Sequence, residues 1–372
     1  MGTIKQFLIK FIITLTTLFI IAGCAQNVGN KNSRNSSKEV DVAIILPLTG
    51  PDSKSAKEYA KMIKLGLSDG TKTKLRVTTY DSSNNETLTQ SLDTILNNGV
   101  DIVIGPVFSE ETKVVAEKLK GKGVIIISLS NNPVLADKET YVFGHAPMRQ
   151  LEQITNYFLD KNHKNFIALL PSGRYSNTVS KVLKDMIESK NANLAKVELY
   201  GNTPEDIEKA IASVNETVES FNENDDELTR PVVFLADDPS ALESILSNIK
   251  KLGLDKRAII AGDSRIDINM QQNITTTFTS SVNLLNYALP TKAAKFGINH
   301  LSFIHVLAYD AGRMVANSIG NSYKKHDFIA NLNSTSPFPG ASGEIAFVES
   351  IAQRRYDILR KENGNYKAIS AE

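Results

Sequence analysis

Residues 101–131, DIVIGPVFSEETKVVAEKLKGKGVIIISLSN, contain the pattern that decides the fold. The apolar runs Asp101–Ile104 and Val124–Ser128 predict two buried strands, and Glu110–Lys120 between them predicts a helix. A crossover helix returns the chain to the same end of the sheet, so the two strands pair in parallel. Continuous apolar strands of this kind are buried under helices on both faces of the sheet.

The same alternation extends in both directions along the chain. Further strands are predicted at Val42–Leu46, Leu75–Tyr80, Phe166–Leu170, Val232–Ala236 and Ala258–Ala261. Thr203-Pro204-Glu205 predicts a helix start, with a Thr cap, a Pro at the first helical position and an acid in the first turn. One series of strands and helices ends near His145 and a second begins near Gln150. We therefore predict an α/β fold of two doubly wound parallel-sheet lobes.

The first 24 residues predict export from the cytoplasm. Lys5 and Lys10 precede the apolar run Phe11–Ile21, and small residues lead from that run to Cys24. These are the parts of a secretory signal, and the run is shorter than the ~20 apolar residues of a membrane-spanning helix. A Cys directly after Ala-Gly resembles a bacterial lipobox. We expect residues 1–23 to be a lipoprotein signal peptide and Cys24 to be the lipidation site.

Composition limits what the rest of the chain can do. Residues 24–39 are polar and without apolar periodicity, which predicts a disordered tether. The chain has 42 Lys and Arg against 41 Asp and Glu, with no basic block, so nucleic acid is not an expected partner. Cys24 is the one cysteine, so the folded body needs no disulfide and offers no thiol chemistry.

The sequence has no complete catalytic or metal-binding motif. Ser322-Tyr323-Lys324-Lys325 matches Ser-x-x-Lys, but the Ser-Asp-Asn and Lys-Thr-Gly motifs that accompany it in enzymes are missing. The five histidines are His145, His163, His300, His305 and His326, and none forms a His-Glu-x-x-His pair. His300 and His305 are five residues apart, which places them on different faces of a helix. Gly-x-Ser-x-Gly and the glycine patterns of phosphate and dinucleotide sites are missing as well. We predict a protein that is not an enzyme and binds no metal or cofactor.

A ligand cleft is expected beyond the carboxyl ends of the parallel strands, where such sheets bind their ligands. Small, hydroxyl and polar residues follow those strand ends. The candidate ligand-binding residues are Ser109, Ser128, Ser130 and Asn131 in the first lobe and Tyr175 and Asp263 in the second. Loops at strand ends are polar in most proteins, so the prediction depends on the set rather than on any one residue.

Four segments resemble a known family. VAIILPLTGP (42–51), DIVIGPVFSEET (101–112), GVIIISLSNNP (123–133) and LAYDAGRMVA (307–316) are similar to type I periplasmic binding proteins of the leucine-binding kind. The resemblance covers nearly all of residues 40–368. It implies three hinge crossings between the lobes. It also implies a first lobe of 40–146 plus 285–330 and a second of 147–284 plus 331–372.

Within that family one branch fits better. ISLSNN, VFGHAPMRQ (142–150) and ALLPSGRYSNTVSK (168–181) are similar to the activator lipoproteins of penicillin-binding proteins. This resemblance implies a non-enzymatic, lipid-anchored protein on the periplasmic side of the cell envelope, with a peptidoglycan synthase as partner. Ala25, rather than Asp, follows the cysteine. In a Gram-negative cell that implies the outer membrane.

The alternative is the substrate-binding lipoprotein of an ABC importer for amino acids, such as branched-chain ones, with a permease as partner. Family position and residue type then assign Ser109, Ser130 and Asn131 to the ligand carboxylate and Asp263 to its ammonium group. Residues 265–300 are short and rich in Asn and Thr compared with the family's usual segment. That departure counts against amino-acid binding.

Overall fold

Strand–helix units build the first lobe, as the alternating pattern predicts. The computed structural model describes residues 39–71, 73–144, 147–221, 229–235, 239–263, 274–280, 287–299, 301–363 and 365–369. The predicted signal peptide, Cys24 and nearly all of the tether lie outside these ranges. The first elements are β1 (Val40–Leu46), α1 (Ser53–Gly70), β2 (Leu75–Asp81), α2 (Asn85–Asn98), β3 (Ile102–Ile104), α3 (Ser109–Leu119), β4 (Ile125–Ser128) and β5 (Thr140–Val142).

The chain then crosses to the second lobe, returns, and crosses again. The second lobe contains α4 (Pro147–Asp160), β6 (Asn165–Pro171), α5 (Arg174–Ser189), β7 (Asn193–Tyr200), α6 (Pro204–Glu219), β8 (Val232–Leu235), α7 (Pro239–Lys251), β9 (Ile259–Gly262) and β10 (Thr276–Ser280). The return to the first lobe brings α8 (Leu289–Ala294), α9 (Phe303–Ile319), α10 (Lys325–Leu332), β11 (Phe338–Gly340), β12 (Gly343–Val348) and β13 (Ile351–Arg355). The last crossing, at Tyr356, leads to β14 (Asp357–Glu362) and β15 (Asn365–Ala368).

Each lobe is built on one twisted sheet. Over the described residues, the strand order is β11-β12-β13-β5-β4-β3-β1-β2 in the first sheet and β15-β14-β10-β9-β8-β6-β7 in the second. Strands β1 to β5 pair in parallel, as do β6 to β10. Apolar clusters form on both faces of each sheet, so Ile44 and Ile45 belong to different cores. The structure confirms two doubly wound lobes, with antiparallel strands β11, β12, β14 and β15 added at the sheet edges.

The lobe boundary near the C terminus differs from the expected one. We assigned residues 331–372 to the second lobe, but β11 to β13 belong to the first sheet. β13 pairs in parallel with β5 through Ile351 and Val142, and Leu332 is buried in the first core. The chain changes sheets only after Arg355, where β14 pairs with β10 through Leu359 and Phe278. The alternating pattern of a hairpin fits the edge of either sheet. The strand with which the hairpin pairs therefore decides the lobe to which it belongs.

Two glycines bring α1 and α9 into close contact in the first lobe. A Cβ atom on Gly66 would lie 2.0 Å from the carbonyl oxygen of Tyr309. A Cβ atom on Gly312 would lie 2.2 Å from the carbonyl oxygen of Ile63. Because α9 reaches this position only after the second crossing, the glycine contacts attach the returning chain to the first lobe.

Candidate functional site

The carboxyl end of β3 follows a tight path that requires glycine. Gly105 has φ of +99°, and a Cβ atom there would lie 2.2 Å from the carbonyl oxygen of Ile45. Only glycine combines this positive φ with so close an approach to another backbone. The chain therefore runs close to the backbone of β1. This path places Phe108 and Ser109 at the carboxyl end of the sheet, where α3 begins.

Two of the predicted ligand residues meet at this end of the first sheet. The hydroxyl oxygens of Ser109 and Ser130 are 2.9 Å apart, although they follow different strands. The Ser130 hydroxyl also accepts a hydrogen bond from the Asn132 backbone N–H at 3.2 Å. The pair is thus closed by its own hydrogen bonds, and a ligand would have to replace or share them.

Ser128 has a structural position beneath this pair. Its side chain is fully buried. Its hydroxyl lies 2.8 Å from that of Thr112, donates to the Pro106 carbonyl at 3.3 Å and accepts from the Ser130 N–H at 3.1 Å. The hydroxyl therefore joins α3 to the ends of β3 and β4. It supports Ser130, whose side chain is also buried, and it does not face the cleft itself.

Asn131 and Asp263 lie near the hinge, beside residues of the third crossing. Asn131 is exposed and lines a cavity of about 240 Å³ together with Arg149, Arg354 and Tyr356. Asp263 is buried directly after β9 in the second lobe, and its negative charge lies close to the Tyr356 phenol. Burial raises the pKa of Tyr356 to about 12, and the Asp263 charge adds to that shift while Arg354 opposes it. The side chain of Tyr175, the sixth predicted residue, lies outside the described residues.

A buried acid anchors the hinge side of the first lobe. Asp310 is fully buried in α9, and its carboxylate accepts from the backbone N–H groups of Ala341 at 2.8 Å and Ser342 at 2.6 Å. The bonds attach the β11–β12 turn to α9. The sequence carried a signal for this role, because a single acid in the apolar run LAYDAGRMVA must be paired if the helix is buried.

Arg354 extends this polar network to the first crossing. Its guanidinium donates to the Ser342 hydroxyl at 3.2 Å, to the Gly144 carbonyl at 2.7 Å and to the Phe143 carbonyl at 2.6 Å. It also lies 4.5 Å from the centre of the Phe143 ring. The hydrogen bonds of Arg354 therefore link the chain near the third crossing to the chain near the first crossing. Sequence reasoning missed this residue.

A glutamine connects the third crossing to the second lobe. The Gln153 amide on α4 donates to the Tyr356 carbonyl at 2.5 Å and accepts from the Tyr356 N–H at 3.4 Å. One side chain thus satisfies both backbone groups of the residue at which the chain changes lobes. This contact couples the tilt of α4 to the position of the crossing.

Apolar side chains border the serine pair on the first lobe. Phe108 is 45% exposed, and Val134, in the short turn after Asn131, is 87% exposed. Phe108 also lines a cavity of about 210 Å³ with Pro47, Tyr59 and Ile304. This end of the first sheet therefore offers apolar contact area next to hydroxyl groups.

Another cavity lies away from the cleft. Its volume is about 460 Å³, and its lining includes Lys161, His163, Arg230 and Thr275. These residues precede β6, β8 and β10, so the cavity is at the amino ends of the second sheet, opposite the cleft. Parallel sheets of this type bind ligands at their carboxyl ends.

The described residues contain neither a metal-binding cluster nor a membrane-spanning helix. In those ranges, no three His, Cys, Asp or Glu side chains are grouped so that they could hold a metal ion. Within the same part of the chain, no helix combines the length and apolarity needed to cross a membrane.

Comparison with known proteins gives a consistent family match. The family model described as "Periplasmic binding protein" matches residues 39–358. An uncharacterized protein of Rickettsia prowazekii (strain Madrid E) is 42% identical over 373 residues, covering 100% of both chains.

Solved structures share the fold at low sequence identity. A putative branched-chain amino acid ABC transporter from Rhodospirillum rubrum has a TM-score of 0.65 and 12% identity, over 89% of this chain and 100% of that one. Full-length LpoA from Haemophilus influenzae has a TM-score of 0.59 and 16% identity, over 90% of this chain and 59% of that one. Identities this low support similarity of fold alone.

Proposed function

Because the chain belongs to the periplasmic binding protein family, we propose that it is a non-enzymatic, lipid-anchored activator of a penicillin-binding protein. Its lipid would be attached to Cys24, and residues 25–39 would let the two-lobed body reach a peptidoglycan synthase from the membrane. The motifs that resemble the activator lipoproteins support this assignment. The fold similarity to LpoA is compatible with it.

The proposal rests on the surface at the carboxyl end of the first sheet. The Ser109 and Ser130 hydroxyls are bonded to each other, while Phe108 and Val134 beside them are exposed. An amino-acid ligand needs free polar groups for its charged ends, whereas a protein partner is held mainly by buried apolar and aromatic side chains. This arrangement favours a protein partner.

A synthase stimulation assay tests the activator function. Addition of the purified lipoprotein should raise the rate at which a bifunctional penicillin-binding protein of the same cell makes crosslinked peptidoglycan. Phe108→Ser should reduce that stimulation at least tenfold at a fixed protein concentration. Phe296→Ser is the matched control, because Phe296 is 46% exposed and lies in the turn after α8 of the same lobe. Equal stimulation by both variants would contradict the proposed surface.

A second candidate function is small-ligand reception for an ABC importer. It is favoured by the position of Asp263, whose charge lies close to Tyr356 at the crossing between the lobes. If this function is correct, one amino acid in a panel should raise the melting temperature of the protein. A ligand at 100 times its dissociation constant adds ~2.7 kcal/mol of stability. Asp263→Ala should then weaken that ligand at least tenfold. A flat panel would reject this candidate for the amino acids tested.

The proposed lipid anchor has its own test. Cells grown with an alkyne-labelled fatty acid should incorporate the label into the wild-type protein, which should sediment with membranes. Cys24→Ser should abolish the labelling. Label that remains on the variant would show that Cys24 is not the lipidation site.

A further inference from the structure

Arg354 is a partly buried cation without a carboxylate partner among the described residues. Its guanidinium contacts a hydroxyl and two backbone carbonyls, and none of its contacts is an ion pair. The carboxylate of Asp310 makes no direct contact with it, but Ser342 hydrogen-bonds to both, and the Asp310 charge acts on Arg354 through space. A cation removed from water is normally paired with an anion, because carbonyl dipoles replace its hydration only in part.

A cavity with a second cation adjoins Arg354. The cavity of about 240 Å³ is lined by Arg354 and Asn131 from the first lobe and by Arg149 from the first turn of α4 in the second lobe. The Arg149 side chain is 65% exposed, and its only ion pair among the described residues is to Glu152 at 3.9 Å. Two arginines and an asparagine from different lobes thus line one small space.

We propose that this hinge cavity binds a small oxyanion, a carboxylate or a phosphate, paired with Arg149 and Arg354. Guanidinium groups match the geometry of both kinds of anion with two parallel hydrogen bonds. The cavity is smaller than the ~300–1,000 Å³ of ordinary ligand pockets, so it suits a small anion or the anionic end of a larger molecule. This site does not depend on the activator function or on Ser109, although the Asp263 charge acts on Tyr356 in its lining.

A bound anion would link the two lobes at their hinge. Its oxygen atoms would contact Arg354 on β13 and Arg149 on α4, across the crossing where Gln153 already contacts Tyr356. The anion therefore fixes the tilt of α4 against the first sheet and restricts the opening of the lobes.

Calorimetric titration with inorganic phosphate and, separately, with malonate tests the site. Residues 40–372 form one compact unit, so this body is suitable for the titration. Sodium chloride at equal ionic strength serves as the blank. We expect saturable binding of at least one of the two anions. Binding of phosphate alone would assign a phosphate site, and binding of malonate alone a carboxylate site. Failure of both anions to bind would overturn the proposal.

A pair of variants locates the binding. Arg149→Ala should weaken the anion at least tenfold. Lys184→Ala is the matched control, because Lys184 is 62% exposed and forms a similar long ion pair with Glu188 at 3.8 Å on α5. Asn131→Asp, which adds a negative charge to the lining, should also weaken binding. Unchanged affinity in Arg149→Ala, or an equal loss in Lys184→Ala, would place the anion elsewhere and overturn the proposal.

Discussion

The two lobes hold the last crossing in different ways. On the first lobe, Asp310, Ser342 and Arg354 form a chain of hydrogen bonds that ends on the carbonyls of Phe143 and Gly144. On the second lobe, the hydrogen bonds to Tyr356 in the described residues come from Gln153 alone. In the described residues, the third crossing is therefore held mainly by the first lobe, and Gln153 attaches it to the second lobe with two hydrogen bonds.

Loss of Asp310 should have the largest effect. In Asp310→Ala the backbone N–H groups of Ala341 and Ser342 lose their acceptor in a buried site, at roughly 1–3 kcal/mol for each. We expect the free energy of unfolding in urea to fall by several kcal/mol. Asp327→Ala, on the exposed surface of α10, should change it little. If Asp310→Ala is no more destabilising than that control, the first lobe does not depend on this network.

Gly66→Ala should cause the second largest loss of stability. The added methyl group would meet the Tyr309 carbonyl at 2.0 Å, so α1 and α9 would have to separate. Overpacking of this kind costs about 1–3 kcal/mol. Ser68→Ala, on the exposed side of the same helix, is the control. If the two lobes unfold in separate calorimetric transitions, Gly66→Ala should lower the melting temperature of the first lobe's transition only. A shift confined to the other transition would contradict this assignment of α9.

Gln153→Ala should affect lobe motion more than stability. It removes one side chain's hydrogen bonds, worth about 0.5–1.5 kcal/mol each, but it frees α4 from the crossing. The folded body contains no cysteine, so spin labels can be placed at Lys118→Cys in the first lobe and Lys184→Cys in the second. The distribution of distances between the labels should broaden in Gln153→Ala. An unchanged distribution would show that this residue does not restrain the hinge.

The pH dependence around His305 should be the smallest effect. Burial lowers the pKa of His305 from its ordinary value of 6.5, although Glu58, 3.1 Å away, opposes the shift. The unfolded chain therefore binds a proton at a higher pH than the folded protein does. The contribution of neutral His305 to the free energy of unfolding is complete above about pH 6.5. It is lost as the pH falls from there toward the lowered pKa of the folded protein.

Urea unfolding at several pH values checks this dependence. His305→Gln should flatten the curve below neutral pH, because glutamine at this helix position keeps an acceptor for the Ser302 N–H without titrating. His326→Gln is the control, since His326 is exposed. A curve that is equally steep in wild type and His305→Gln would rule out His305 as the cause.

The local pattern predicted the secondary structure well where the strands are apolar and continuous. The runs at residues 101–104 and 124–128 contain β3 and β4, and Thr203-Pro204 begins α6 with a capping box as expected. The candidate site was less predictable. The strand-end rule placed Ser109 and Ser130 near each other, but it could not show that Ser128 faces into the protein. Ser128 and Ser130 are both buried, and only their hydrogen-bond partners, Thr112 for Ser128 and Ser109 for Ser130, distinguish their positions.

The sequence by itself determined the strands, the helices and the presence of two doubly wound lobes, because these depend on the periodicity of residues close together in the chain. Only the tertiary structure decided that β11 to β13 join the first sheet and that Arg354 reaches the carbonyls of Phe143 and Gly144. Arg354 and Phe143 are 211 residues apart in the chain. Contacts of that kind depend on which surfaces remain unpaired after each lobe has formed, and no local pattern specifies them.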